Sequence, residues 1–258
     1  MVAVARRSIL RGAASLPLAT ILASPSLVRA AAGETERVTI TTPSGREVSG
    51  ALAMPDALPA PTVLLIHEWW GLNDHIKTMA TEFAKQGYIA LAVDLYGGEV
   101  AMAGDRDAAQ SLMQGVDAGE ATETLTAWTE WLRGHEFATG KVGTVGWCFG
   151  GGWSLSASIA TPVDATVIYY GRVNQPVEEI AKLQGPVLGH FATRDGWINA
   201  EMVGGFERAL ETNGKSAEIH WYVADHAFAN PTGERYDEED AALSWTRTLT
   251  FFAEHLKG

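Results

Sequence analysis

Cysteine is nearly absent from this chain, with one residue, Cys148, in 258. That excludes an intrachain disulfide and a Cys-rich zinc site. Basic residues are scarce too: 19 Lys and Arg stand against 31 Asp and Glu, for a formal charge of −12. Such a balance argues against a nucleic-acid or anionic-membrane partner. No apolar run reaches the ~20 residues that a membrane-spanning helix requires. Repeats, low-complexity tracts and charge blocks are missing as well. What remains is a chain with 47% hydrophobic residues, enough for a substantial core, at a length that suits one large α/β domain or two small ones.

Residues 1–32 read as a leader rather than as fold. The stretch Arg6-Arg7-Ser8-Ile9-Leu10-Arg11 precedes a short apolar run broken by Pro17 and Pro25, and small residues follow in VRAAAG. A basic region, an apolar region and a small-residue cleavage site in that order form a secretory signal. The arginine pair resembles a twin-arginine export signal. Cleavage is expected near Ala30 and the mature protein in the periplasm, with no membrane association after removal of the signal. A lone thiol in that compartment has no internal partner and is open to sulfenic acid formation.

Beyond the leader, Arg37–Pro43 and Arg46–Pro55 flank a Ser44-Gly45 turn and read as a hairpin. Six short apolar runs follow: Thr62–His67, Tyr88–Val93, Lys141–Gly146, Ala165–Tyr170, Pro186–Phe191 and Glu218–Val223. Runs of this kind suit strands buried on both faces of a parallel sheet. Asn73–Lys85, Ala118–Leu132, Phe149–Ala160, Asn199–Leu210 and Asp237–His255 carry apolar residues at helical spacing between them. Strand alternating with helix predicts a single doubly wound α/β domain over 34–258.

The lone thiol sits at a strand-to-helix junction, in Gly146-Trp147-Cys148-Phe149-Gly150-Gly151. This is the nucleophile-elbow pattern G-x-S-x-G with cysteine in place of serine. A tight turn strains the backbone at the nucleophile, and only residues without Cβ fit beside it. The elbow outweighs the commoner fate of a lone cysteine, that of a small buried hydrophobe. At a helix N-terminus the dipole is expected to favour thiolate, and the Phe149 N–H can stabilise an oxyanion. In this fold the partners follow in the order nucleophile, acid, histidine. Asp195 comes after the strand Pro186–Phe191 and His226 after Glu218–Val223, both at carboxyl ends where open α/β sheets build their sites. Asp225 is the rival acid, but neighbouring side chains on an extended chain point apart. In HEWWGLN, after Thr62–Ile66, the Trp69 N–H is the candidate second oxyanion donor. Glu68 is unusual there, because a carboxylate near the nucleophile opposes thiolate; it could hold the thiol neutral or accept its proton.

The motifs GWCFGG, HEWWG, DLYGG, TRDGW and DHAFANP, in this order, resemble the dienelactone hydrolase family over nearly the whole chain after the leader. The resemblance implies a single-domain α/β-hydrolase fold that hydrolyses an enol-lactone without metal or cofactor. It implies Cys148 as nucleophile, His226 as base, Asp195 as the partner of His226, and Glu68 as the acid that hydrogen-bonds the resting thiol. Tyr170 matches a pocket tyrosine, and Arg106 one of two arginines that hold the substrate carboxylate. Where the second arginine should stand, four residues after the histidine, this chain has Asn230. One arginine holds a carboxylate less tightly than two, and Arg172 or Arg194 could substitute. Trp69, Trp70, Trp147 and Trp197 suggest an aromatic rim suited to a flat or apolar acyl group. The expected protein is a monomeric hydrolase of small lactones or carboxylic esters. A thioesterase or peptide-bond hydrolase of the same fold, or a non-catalytic binder, are the alternatives.

Overall fold

The computed structural model describes residues 18–258. Two short helices come first, α1 (Leu18–Leu22) and α2 (Pro25–Ala32). A hairpin of β1 (Glu36–Thr41) and β2 (Glu47–Ala53) turns at Gly45, whose φ of 88° suits glycine. Strands and helices then alternate: β3 (Ala60–Ile66), α3 (Asp74–Lys85), β4 (Ile89–Val93), α4 (Arg106–Gln114), α5 (Ala118–Arg133), β5 (Ala138–Trp147), α6 (Phe149–Ala160), β6 (Ala165–Tyr169), α7 (Val177–Ile180), β7 (Val187–Ala192), α8 (Ala200–Thr212), β8 (Ala217–Tyr222) and α9 (Glu238–Leu256). Helix starts coincide with capping side chains: Asn73, Asn199 and Asp237 each accept an N–H from the first turn that follows.

All eight strands form one sheet in the order β1-β2-β4-β3-β5-β6-β7-β8. β2 runs antiparallel to β1 and β4; the remaining pairs are parallel. Every residue of β3, β4, β6 and β7 is buried, as strands covered by helices on both faces must be. The architecture is the α/β-hydrolase fold. Register decides what meets at its carboxyl edge. Ile66 pairs with Gly146, Trp147 with Tyr169, Tyr169 with His190, and Ala192 with Tyr222. The loops after β3, β5, β7 and β8 therefore emerge along one edge, which is where such sheets bind ligands.

Two features depart from the sequence reading. β8 is an edge strand that is only partly covered, with Trp221 exposed. β6 stops at Tyr169, because Tyr170 takes a φ of 37°, and α7 lies in a stretch to which the sequence reading assigns no element. The described part of the expected leader forms α1 and α2, which pack on α3. Ile21 and Leu22 are buried, and the Thr78 and Thr81 hydroxyls donate to the Val28 and Ala31 carbonyls. The arginines Arg6, Arg7 and Arg11 lie outside the described residues.

Helix α6 approaches the sheet closely, and glycine makes that possible. A Cβ on Gly146 would land on the Gly150 carbonyl, and one on Gly150 would land on the carbonyls of Ile66 and His67. Both obstacles are backbone and cannot rotate away. Gly150→Ala is expected to lower the thermal midpoint by at least about 5 °C, the scale of an overpacked core position. Gly205→Ala, in α8 with only the end of Arg208 nearby, should leave it unchanged or raise it. Equal midpoints in calorimetry would refute the close approach.

Candidate active site

Cys148 occupies the bend between β5 and α6, with φ 55° and ψ −116°. This is a strained conformation for a residue bearing a Cβ, and the flanking glycines are what permit it. Its thiol is nevertheless not poised as a thiolate. Burial pushes it up to about 12, Glu68 adds to the rise, and the Phe149 N–H opposes both without prevailing. The expectation that the helix dipole would set the balance is thus corrected: desolvation of the sulfur outweighs a terminal dipole. No side-chain hydrogen bond joins the thiol to His226 or Glu68 among the described residues. Such contacts commonly tighten only with substrate in place.

Asp195 and His226 are brought together from the ends of β7 and β8. The His226 Nδ1 lies 2.6 Å from Asp195 Oδ2, and the Trp197 and Ile198 N–H groups donate to Oδ1 at 2.9 and 3.0 Å. Burial alone would raise Asp195, but the His226 contact and the two N–H donors hold its carboxyl below the ordinary value. With Nδ1–H committed to the carboxylate, the imidazole keeps Nε2 as its basic nitrogen. The ring lies between two aromatics, Tyr170 at 5.2 Å and Trp197 at 5.2 Å between centroids. Two other buried histidines are engaged elsewhere. His67 Nδ1 meets the Glu68 carbonyl and its Nε2 accepts the Leu95 N–H, while His190 contacts the hydroxyls of Tyr222 and Thr248. The rival acid Asp225 is paired with Arg194 at 3.2 Å, an exposed bridge across the same two loops. That pair leaves neither residue for the roles considered for it.

Glu68, after β3, is 3% exposed, and Asn230 Nδ2 donates to its Oε2. Burial raises Glu68 to about 7, against the opposing pull of Asn230 and of Arg235. Tyr170 is fully buried with a hydroxyl that finds no partner among the described residues. Burial first, then the neighbouring Glu68 and Cys148, which would repel a phenolate if ionised, keep that phenol protonated. The backbone N–H groups of Trp69 and Phe149 make no backbone hydrogen bond among the described residues.

At the rim, Arg106 lies over the Trp69 ring at 5.7 Å and Arg235 over the Trp197 ring at 5.4 Å. Arg235 was missed by the sequence reading; its place in an irregular loop before α9 carries no motif. Trp70 packs on Trp69, but Trp147 belongs to the core, 4% exposed against Tyr169, and is no part of the rim. Two surface hollows of about 440 and 590 Å³ open around Asp94 and hold none of these site residues.

Comparison with known proteins gives the family. The model of the dienelactone hydrolase family matches residues 48–256. The chain belongs to the dienelactone hydrolase family. It is accordingly a hydrolase, and its relatives are similar over most of their length. A carboxymethylenebutenolidase of Pseudomonas putida is 28% identical, over 85% of this chain and 96% of its own. Carboxymethylenebutenolidase 1 of Cupriavidus pinatubonensis is 25% identical, over 84% and 95%. Among solved structures, a dienelactone hydrolase-like promiscuous phosphotriesterase from metagenomic libraries shares the fold with a TM-score of 0.75, at 24% identity over 87% of this chain and all of that one.

Glu68 holds its proton more tightly in the folded than in the unfolded chain. It therefore opposes folding as pH rises from 4.5 toward about 7. Glu68→Gln is expected to gain stability over the parent across that interval, by up to about 3 kcal/mol. Urea unfolding at about pH 4 and about pH 8 measures it. A parent and variant with the same pH dependence would show that Glu68 ionises freely in the folded state.

Proposed function

We propose that this protein is a cysteine-dependent hydrolase of small lactones or carboxylic esters that works through an acyl-thioester intermediate. One observation carries the reading: a strained cysteine at a glycine-framed bend shares a sheet edge with a histidine whose Nδ1 is held by a buried carboxylate. A binding protein has no use for that combination.

At rest the thiol is neutral, which protects it from oxidation. On substrate binding its proton is taken up by Glu68, whose affinity near neutrality suits it to accept one. Sulfur then attacks the carbonyl carbon, and the S–C bond forms as the carbonyl π electrons move to oxygen. The N–H groups of Trp69 and Phe149 stabilise that oxyanion. Collapse breaks the ring or ester C–O bond, and the departing oxygen recovers the proton. His226 Nε2 next takes a proton from water, whose oxygen attacks the thioester. The C–S bond breaks and the proton returns to sulfur, giving the carboxylic acid and the free thiol. Asp195 fixes the tautomer and steadies the imidazolium.

The names of the relatives point to a lactone that carries a carboxymethylene group. In this chain Asn230 is neutral and committed to Glu68, so a substrate carboxylate would be met at the rim by Arg106 and Arg235. The proposal also places the enzyme in the periplasm, on the strength of the Arg6-Arg7 leader and the small-residue stretch that follows it.

Cys148→Ala is expected to cut turnover of an activated aryl ester or enol-lactone by about 10³-fold or more, with unchanged circular dichroism. Acid-quenched parent enzyme should carry the acyl mass on the Cys148 peptide. Undiminished turnover in the variant would rule out covalent catalysis at this position.

A further inference from the structure

Asn230 is 4% exposed and bridges two loops that are 162 residues apart in sequence, the one after β3 and the one after β8. Its amide orientation is not free. Oδ1 accepts both the backbone N–H of Thr232, at 2.9 Å, and the Thr232 hydroxyl, at 2.7 Å. A backbone N–H can only donate, so the amide oxygen must face Thr232 and the amide nitrogen must face Glu68. The turn that carries this pair is itself pinned: Asn230 N–H donates to the Ala227 carbonyl, and Gly233 N–H to the Asn230 carbonyl. Ala227, next to His226, takes a φ of 66° to start it.

Resting on the reading of Glu68 as the acid beside the nucleophile, we propose that Asn230 is a positioning residue for that acid and that Thr232 locks it. An uncharged amide, held from behind by Thr232, presents an N–H to the Glu68 carboxyl and keeps it beside Cys148 without placing a cation there. The titratable and charged groups around that carboxyl are Cys148 at the head of α6, Tyr170 after β6 and Arg235 before α9. Arg235 is exposed and stacked on Trp197, so solvent screens its pull, and Asn230 is the direct partner. The proton affinity of Glu68 is then set chiefly by burial and one neutral hydrogen bond. A hydrogen bond to the charged form favours that form. Loss of the amide therefore makes Glu68 hold its proton more tightly, and a cation in its place makes it hold the proton less tightly.

The test is the pH profile of kcat/KM for p-nitrophenyl acetate. In the parent, Glu68 sets an acid limb; Glu68→Gln is expected to lose about 10²-fold or more in kcat/KM and to leave a residual rate without that limb. Asn230→Leu is expected to move the limb up by about one pH unit, Thr232→Val to move it up by less, and Asn230→Arg to move it down by about one. Opposite shifts from two substitutions at one buried site are not what a packing role produces. Should Asn230→Leu fail to fold, Thr232→Val and Asn230→Arg still carry the comparison. A limb that stays in place in the Asn230 and Thr232 variants, or that persists in Glu68→Gln, overturns the proposal. Inactivity of Cys148→Ala in the same assay would leave the covalent reading standing in either case.

Discussion

The rest of the site depends on how closely α6 lies against the sheet. Gly146 and Gly150 remove the Cβ atoms that would otherwise strike backbone carbonyls, and Cys148 between them absorbs the bend at φ 55°. A strained residue of this kind persists only where its surroundings over-determine it. Here β3, β5 and β6 do so, since the helix start is wedged against the end of each. A shift in the helix would move the thiol and the Phe149 N–H together.

Two buried carboxylates near that bend have opposite fates, and the difference is their hydrogen bonds. Asp195 receives two N–H groups and the His226 contact, and it stays ionised despite burial. Glu68 receives one amide N–H, and its affinity for a proton rises toward neutrality. In the proposed mechanism the first orients a base and the second exchanges a proton. The thiol follows the same logic. Desolvated and beside a carboxylate, the thiol is pushed up to about 12 and stays protonated.

A protein of net charge −12 places arginines over tryptophans on two sides of this pocket. Guanidinium stacked on an indole keeps its in-plane N–H groups available while its face is covered. The rim thus offers local positive charge within an acidic surface. His226 packs against Tyr170 and Trp197, with ring centroids 5.2 Å away in each case, so the imidazole is placed by packing as well as by its bond to Asp195.

Local pattern determined a good deal of this. Alternating apolar runs and amphipathic stretches marked the strands and helices, because burial on two faces demands continuous apolar residues and capping demands Asn or Asp at helix starts. The elbow, the Glu68 loop and the order of Cys148, Asp195 and His226 were readable because each lies within a few residues of a strand end. Tertiary structure alone decided the remainder. Asn230 could be recognised as a departure from the family pattern, but not as the partner of Glu68, since nothing local links positions 162 apart. Arg235 had no motif, Trp147 turned into the core, and residues 18–32 found a surface on α3. Nor could the thiol's protonation be read from its place at a helix start. The dipole is a property of the local chain, whereas burial is a property of everything packed around it, and for this sulfur burial is the larger effect.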